Sequence, residues 1–356
     1  SSYSFEGWYD TARMNGDDVY VVTRTNSYSR PIEPMPVIYR DGVKSSIAID
    51  KIHYYPRPYS NPTTVSAHSI NLNGESSLTD SVAVVTDSLS TVYMSHNNLY
   101  LVGNQRISEE TFEFSIIEDM VYDKLSNAEK ELIEKIKATD DDVLSKSEKK
   151  RKIMQVYEQF MSLQPSDVQE DFYDDFESKM KEELSTIEYF QFSEINKISY
   201  DDGKLDLEAT GKVPGTLVNQ FSLDEQDSYL RVASTINPRW SRYVEDRKES
   251  ENAVFVLDDD LEISGEIKGI AVDERIYSTR FIDDRLYMVT FKQIDPFFVV
   301  DLEDPNNPTI LGELKITGYS SYLHPYDKNH IIGIGKEATE TGRTKGLKIS
   351  LFNVED

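Results

Sequence analysis

The five histidines are the first residues in this sequence that could bind a metal or transfer protons. They are His53, His68, His96, His324 and His330, and none shares H-x-x-H or H-E-x-x-H spacing with another. That spacing places two imidazoles on one face of a helix, as in many zinc sites. Single histidines in strands are mostly structural. The sequence therefore predicts no transition-metal site.

Acidic clusters are the second candidate for chemistry, because calcium binds carboxylate oxygens. The clusters are Asp140–Asp142, Asp174–Asp175, Asp201–Asp202, Asp258–Asp260 and Asp283–Asp284. None forms a D-x-[DN]-x-[DN]-G loop, and Asp258–Asp260 falls in a turn between strands, where Asp is common. Calcium ligands can also come from separate loops. We therefore expect no cofactor, with bound calcium as the alternative.

Nucleophilic catalysis has no support in the sequence. The chain has no cysteine and no G-x-S-x-G motif, which excludes thiol chemistry and the nucleophile elbow. The segment GIGKEATETG at 333–342 lacks the third glycine of a dinucleotide-binding turn. The paired carboxylates of a glycosidase need a defined separation, which residue order does not fix. The sequence leans towards a protein that is not an enzyme.

Charge narrows the range of partners. The 356 residues include 64 acidic and 38 basic side chains, which gives a net charge of −26. Such a surface repels phosphate backbones and anionic membranes, so we expect no nucleic-acid partner. The sequence contains no apolar run of 18 residues, so we expect no membrane span.

A hairpin pattern recurs along the chain. RMNGDDVYVVTR (13–24) and RFIDDRLYMVTF (280–291) match nearly position for position. Looser copies are MSHNNLYLVGN (94–104), LDEQDSYLRVAST (223–235) and PYDKNHIIGIGK (325–336). Each has a short strand, a turn rich in Asp and Asn, and an alternating apolar strand. Asp and Asn tolerate the positive φ of tight hairpins, and the alternation buries one face.

A second pair of strands follows each hairpin. It occupies 65–74, 195–211, 252–269, 297–318 and 346–356. Equivalent positions lie 57 residues apart from Leu230 to Tyr287 and 44 apart from Tyr287 to Ile331. Four-stranded units at this spacing are typical of propeller blades, with a β-sandwich as the alternative. The predicted fold is all-β with a helical insertion: a β-propeller with about five four-stranded blades here, compatible with part of a seven- or eight-bladed ring.

The chain ends suggest two interpretations. SSYSFEGWYD has no basic or apolar region of a signal peptide and reads as the middle of a strand, which suggests a processed or truncated chain. The last residues, LKISLFNVED, stop where a fourth strand is expected. Either Tyr3–Trp8 completes the last blade and removes a strand edge, or both ends are cuts in a larger ring.

One region has helical periodicity, which divides the chain into 1–107, 108–187 and 188–356, with the middle part inserted within one blade. Three predicted capping boxes start helices: Ser126/Glu129, Ser145/Glu148 and Ser166/Gln169. The last helix carries an apolar stripe of Phe172, Phe176, Met180 and Leu184. Such a stripe is usually intramolecular core, and a partner-binding face is the alternative.

Long segments of the chain resemble a family of secreted bacterial and archaeal proteins with a C-terminal β-propeller, distantly related to WD-repeat propellers. The segments are 12–23, 213–235, 274–336 and 346–356. The resemblance implies a propeller fold, further strands on both sides of this region, and a secreted or cell-surface location. It implies no reaction and no catalytic residues.

Propeller ligands usually bind over the central channel, beside the innermost strands. We place these strands near Thr11–Met14, Asn219–Ser222, Tyr277–Phe281 and Ser321–Pro325. The candidate ligand-binding residues at the channel mouth are Arg13, Gln220, Tyr277, Arg280 and His324. Arg13 and Arg280 occupy equivalent positions and could bind an anion. A salt bridge between blades is the commoner role for such arginines.

Two functions remain open. The first is a non-catalytic extracellular scaffold that binds an unknown protein or cell-surface ligand. The second is an extracellular hydrolase, carbohydrate-active or metal-assisted, with its site at the channel mouth. The hydrolase needs at least two titratable groups from different blades in one pocket, with pKa values pushed apart.

Overall fold

The computed structural model describes residues 2–26, 35–57, 59, 61–74, 77–141, 143–238, 241–244, 248–291, 295–316, 318–339 and 344–355. The chain forms two compact units. The strand unit comprises Ser1–Arg106, Gln191–Pro238 and Glu249–Asp356. The helical unit comprises Ile107–Phe190 and Arg239–Lys248, and each unit is described by itself.

The first part of the strand unit contains one large and one small sheet. Its strands are β1 (Tyr3–Phe5), β2 (Trp8–Asn15), β3 (Asp18–Asn26), β4 (Val37–Arg40), β5 (Val43–Ser46), β6 (Ile52–Tyr54), β7 (Thr63–Asn71) and β8 (Ser77–Thr86). The large sheet has the order β2-β3-β7-β8-β6, in which β6 is parallel to β8 and the other pairs are antiparallel. The small sheet has the order β1-β4-β5.

The second sheet is interrupted in sequence by the helical unit. The elements are β9 (Leu89–Met94), β10 (Asn98–Arg106), α1 (Glu109–Val121), α2 (Asn127–Ala138), α3 (Lys146–Ser162), α4 (Ser166–Ser185), β11 (Gln191–Asp201) and β12 (Lys204–Pro214). β9 to β12 form an antiparallel sheet of four strands in chain order. The helices therefore lie in sequence between its second and third strands.

Three further antiparallel sheets follow in chain order. They contain β13 (Leu223–Gln226), β14 (Tyr229–Ile236), β15 (Glu251–Leu257), β16 (Ile263–Ile270); β17 (Arg275–Ile282), β18 (Arg285–Phe291), β19 (Asp295–Asp301), β20 (Thr309–Ile316); and β21 (Tyr319–Asp327), β22 (His330–Ala338), β23 (Thr344–Asn353). The first two have four strands each. Four-stranded sheets in chain order agree with the predicted blade units. The number of blades in a ring stays a prediction.

Acidic hairpin turns connect the strands as the repeats indicated. Asp283 between β17 and β18 has φ of 49°, Asp202 between β11 and β12 also has 49°, and Asp227 between β13 and β14 has 52°. Aspartate tolerates this left-handed conformation, which a tight turn of this type requires. The acidic clusters Asp201–Asp202 and Asp283–Asp284 thus form turns.

Neighbouring sheets pack face to face through apolar cores. We number the sheets by chain order, leaving out the small one: the first is the large sheet that begins with β2, and the second to fifth begin with β9, β13, β17 and β21. One cluster joins the first and second sheets through residues such as Val22, Val84 and Leu101. A second joins the third and fourth sheets, and a third joins the fourth and fifth, where Phe297 stacks on Phe352 with ring centroids 4.6 Å apart. Burying one face of each alternating strand supplies the main stabilisation of such a stack.

Tyr3–Trp8 does not complete the last sheet. β1 pairs antiparallel with β4, and Trp8 begins β2, which pairs with β3. The ring of Phe5 stacks on His68 of β7 with centroids 4.0 Å apart. β1 therefore belongs to the small sheet and packs against β7 of the large sheet, and the closure interpretation is wrong for it.

The helical unit has two buried apolar clusters. Ile133, Ile153 and Tyr157 form the centre of one, and the predicted stripe of α4 forms the other: Phe176, Met180 and Leu184 are buried and Phe172 packs beside them. The stripe is therefore intramolecular core, as expected. The capping boxes Ser126/Glu129 and Ser145/Glu148 are both present.

The third capping box is wrong. α4 starts at Ser166, and the cap position belongs to Pro165, which offers no side-chain hydrogen bond. The Gln169 backbone N–H donates to the Pro165 carbonyl at 3.0 Å, and the Gln169 side chain donates to the Gln164 carbonyl at 2.8 Å. The proline ring fixes φ at a value that suits the start of a helix, so the helix begins one residue earlier than the motif implied.

Candidate ligand-binding pocket

The first strands of four sheets contribute to one pocket in the strand unit. Its volume is about 200 Å³, and it is lined by Arg13, Tyr93, Met94, Gln220, Phe221, Leu223, Asp224, Arg280 and Phe281. We call it the arginine pocket. β2 supplies Arg13, β9 supplies Tyr93 and Met94, and β17 supplies Arg280 and Phe281. The remaining residues come from β13 and the turn before it.

A one-turn 3₁₀ helix presents the third-sheet residues. The segment Gln220–Ser222 forms this turn, which differs from the strand predicted at Asn219–Ser222. The cause is Asn219, whose side-chain oxygen accepts the Phe221 N–H at 2.9 Å and holds the chain out of the sheet. Thr279 of β17 also donates to the Phe221 carbonyl at 2.8 Å. The turn is therefore tied to the fourth sheet.

Arg13 is partly buried and is held by neutral groups. Its Nη1 donates to the Thr11 hydroxyl at 2.5 Å and to the Ala12 carbonyl at 2.9 Å, and its Nη2 donates to Gln220 Oε1 at 2.7 Å. Among the described residues it has no carboxylate partner. The salt bridge expected as its commoner role is therefore absent there, and its positive charge remains unneutralised.

Arg280 is also held by neutral groups. Its guanidinium carbon lies 3.8 Å from the centroid of the Phe221 ring and 5.5 Å from that of Tyr322. Its Nε donates to the Leu323 carbonyl at 3.1 Å. Burial lowers the pKa of Arg280, and the nearby Tyr322 hydroxyl offsets this in part. No described carboxylate pairs with it, so the expected salt bridge is absent here too.

The one carboxylate among the nine lining residues is already engaged. Asp224 accepts hydrogen bonds from both Nε, at 3.0 Å, and Nη2 of Arg231. Arg231 lies 4% exposed and also donates to the Asp283 carbonyl at 2.6 Å. Asp224 therefore compensates Arg231, and the arginine pocket presents net positive charge.

The other two predicted residues lie outside the lining. His324 is exposed, and its Nδ1 is 3.2 Å from the hydroxyl of Tyr322, the residue that contacts Arg280. Tyr277 packs into an aromatic group with Tyr319 and Phe291, at centroid distances of 4.9 Å and 5.3 Å. The structure thus brings Arg13, Gln220 and Arg280 together, and places His324 beside their neighbour.

Sequence reasoning missed Tyr93 and Met94 of the second sheet and the Phe221 ring that stacks on Arg280. Tyr93 and Met94 precede the Asn97–Asn98 hairpin as Arg13 precedes its own turn, so the repeat alignment could have found them. Phe221 was inside a predicted strand, but its place under Arg280 depends on the 3₁₀ turn. No residue pattern signals that turn except Asn219 as a possible cap.

Metal binding remains a prediction that the structure does not test. Within the described part of the chain, no group of three or more His, Asp or Glu side chains is placed to hold a metal ion. In the Asp258–Asp260 cluster, the Asp258 side chain accepts the N–H groups of Asp260 and Glu262 at 3.0 and 2.9 Å. That cluster therefore stabilises its own turn.

The fold and the pocket define a class. Antiparallel sheets of four strands follow one another in the chain, and residues from their first strands converge on a pocket, as in propeller proteins. A sequence model of the Beta propeller domain matches residues 1–356, and the chain belongs to that family.

The relatives are archaeal and about twice as long. An uncharacterized protein of Methanocaldococcus jannaschii is 36% identical over 361 residues, covering 98% of this chain and 53% of its own length. Another from Archaeoglobus fulgidus is 37% identical over 366 residues, covering 100% of this chain and 54% of its own. The chain thus spans about half the length of the curated relatives it matches.

Solved structures add no argument. A Synechocystis apocarotenoid oxygenase aligns with 90% of this chain and 56% of its own at 10% identity, with a TM-score of 0.36. An alignment at that TM-score says nothing about the site.

Among the described residues, no helix combines the length and apolar character needed to cross a membrane.

Proposed function

We propose that this chain is a non-catalytic interaction module of an extracellular or cell-surface β-propeller protein, and that it binds its ligand or protein partner at the arginine pocket. One observation carries the proposal: two guanidinium groups from different sheets, Arg13 and Arg280, line one pocket without a described carboxylate partner. Recognition sites combine an apolar lining with a few such polar groups.

The contents of the pocket favour binding over catalysis. General acid–base chemistry uses two titratable groups with different pKa values that reach one substrate. The lining offers Asp224, already bonded to Arg231, and two arginines, whose guanidinium groups donate hydrogen bonds and accept none. His324, which lies outside the lining and contacts Tyr322, is the residue on which the alternative, a hydrolase, would depend. The secreted or cell-surface location rests on the family resemblance alone.

A ligand screen with a turnover readout tests this proposal. Saturation-transfer NMR of the chain with a mixed set of small acids, sugars and amines identifies ligands and reports any conversion to products. We expect bound compounds that remain unchanged and whose signals weaken in Gln220→Ala. Ligands whose signals are the same in Gln220→Ala would show that the arginine pocket is not the binding site. Product formation that His324→Ala abolishes would establish the hydrolase. Protease treatment of intact cells tests the location.

A further inference from the structure

Arg13 and Arg280 are partly buried and have no carboxylate partner among the described residues, in a chain of 64 acidic and 38 basic side chains. Arg57 and Arg231 both have carboxylate partners. The neutral acceptors around Arg13 and Arg280 replace part of the lost hydration but supply no opposite charge. An anionic group in the pocket would therefore be attracted to both guanidinium groups.

The donors of the two side chains are only partly used. A guanidinium has five N–H groups. Among the described residues, Arg13 donates to Thr11, Ala12 and Gln220, which leaves its Nε–H and one Nη2–H, and Arg280 donates its Nε–H to Leu323. Stacking on Phe221 fixes the plane of Arg280 without using a hydrogen-bond donor. Both side chains are thus held in place with donors in reserve.

The size and charge of the surroundings select the anion. The volume of about 200 Å³ is below the range of about 300–1,000 Å³ that encloses a drug-sized ligand, so it fits a small acid or the acidic end of a larger one. Asp224 is compensated by Arg231, but the chain as a whole has a net charge of −26. This overall negative charge opposes a phosphate dianion more than a carboxylate monoanion.

We propose that the arginine pocket is a carboxylate-binding site in which Arg13 and Arg280 donate hydrogen bonds to one carboxylate from two different sheets. The aromatic rings of Phe221 and Tyr93 form apolar walls for the group that carries it. This inference rests on the proposed function, since it names the chemistry of the ligand at the same site.

Titrations with small probes test the inference. Dissociation constants of succinate, an N-acetylated peptide with a free C-terminal carboxylate, inorganic phosphate and glucose are measured by saturation-transfer NMR. We expect a carboxylate to bind in a saturable way, more tightly than phosphate, and to weaken as salt rises. The free acid and the peptide distinguish a small ligand from the end of a partner chain.

Variants assign the binding to the two arginines. Arg13→Gln and Arg280→Gln should each weaken carboxylate binding at least tenfold. Arg280→Lys should weaken it less, because the charge is kept and the planar stack is lost. The matched control is Arg275→Gln, an exposed arginine on the same strand, which should bind as the parent does. Thermal melts by circular dichroism confirm that each variant is folded.

Each outcome separates the inference from the proposed function. Phosphate that binds more tightly than either carboxylate overturns the carboxylate assignment. Glucose binding that depends on Gln220 overturns it too, yet leaves the pocket as the binding site. Carboxylate affinity that is equal in the parent, Arg13→Gln and Arg280→Gln overturns both.

Discussion

Arg57 and Arg280 are two arginines of the strand unit that both stack on aromatic rings but differ in their charge partners. Arg57 lies 4.4 Å from the Tyr59 centroid, and Arg280 lies 3.8 Å from that of Phe221. Arg57 also donates to Glu194 at 2.8 and 2.5 Å and to Asp87 at 2.7 Å. Arg280 donates to a backbone carbonyl.

The pKa directions follow from these partners. Burial lowers the pKa of Arg57, but the hydrogen bonds to Glu194 and Asp87 outweigh burial and raise it overall. Burial lowers the pKa of Arg280, and Tyr322 does not fully offset it. Arg57 is thus a structural cation that joins residues of the first and second sheets. Arg280 is a partly desolvated cation without a carboxylate partner among the described residues, and the proposed ligand site rests on this difference.

Replacing each arginine by methionine, which keeps an unbranched apolar stem and removes the charge, gives the largest predicted difference. Arg57→Met leaves Glu194, 2% exposed, and Asp87, 7% exposed, without their cation. We expect this to destabilise the strand unit by about 3–5 kcal/mol, as for other broken buried ion pairs. Arg280→Met keeps the packing of the stem and removes an unpaired charge, so we expect a change within about 1 kcal/mol.

Hydrogen exchange of amides in β8 and β11 under increasing urea measures both free energies of unfolding. The double variant Arg57→Met/Glu194→Met should recover part of the loss, because only Asp87 then remains buried without the cation. Equal destabilisation by Arg57→Met and Arg280→Met would remove the distinction between the two arginines.

His68 is a second basic side chain, besides Arg280, that is buried against neutral groups. It is 1% exposed, and its ring nitrogens face the hydroxyls of Ser81, at 2.9 Å, and Thr23, at 3.4 Å. Burial lowers the pKa of His68 to about 3. The unfolded chain binds a proton below about pH 6.5 while the folded chain does not, so stability falls as the pH drops.

We expect His68 to account for a loss of roughly 1.5 kcal/mol between pH 6.5 and pH 5. Urea denaturation at half-unit pH steps measures this loss. His68→Gln keeps a neutral polar side chain and should flatten the curve in that window. A curve of unchanged slope in the variant would show that another group is responsible.

Two serines at helix starts also differ in their hydrogen-bond partners, and we expect a smaller effect on stability from them. The Ser145 hydroxyl accepts the Glu148 N–H, whereas Ser166 lies in α4 and caps nothing. Ser145→Ala should cost the helical unit about 1 kcal/mol, and Ser166→Ala close to zero. Amide exchange in the first turns of α3 and α4 measures the two effects, and similar values at both sites would refute the cap assignment.

The sequence predicted those features that depend on short repeats. The turn at Asp283 and the strands around it follow from local chemistry, and so does the equivalence of Arg13 and Arg280, which precede matching turns. The helices and two of their three capping boxes could also be predicted, because hydrophobic periodicity and capping boxes depend on residues close in sequence.

Features that join distant parts of the chain could not be predicted. Arg57 and Glu194 are 137 residues apart, and no periodicity relates them. The pairing of β1 with β4 competes with closure of the last sheet, and alternation alone does not choose between strand partners. The stacking of Arg280 on Phe221 depends on a 3₁₀ turn where a strand was expected.

Arginine Nε–Hε NMR signals test the central claim most directly. They report separately on Arg13, Arg280 and Arg57 when succinate is added, once each signal is assigned by substitution. We predict that the signals of Arg13 and Arg280 shift along one saturable curve while that of Arg57 stays fixed, since its carboxylates already occupy it. Unshifted Arg13 and Arg280 signals at saturating succinate would contradict the account.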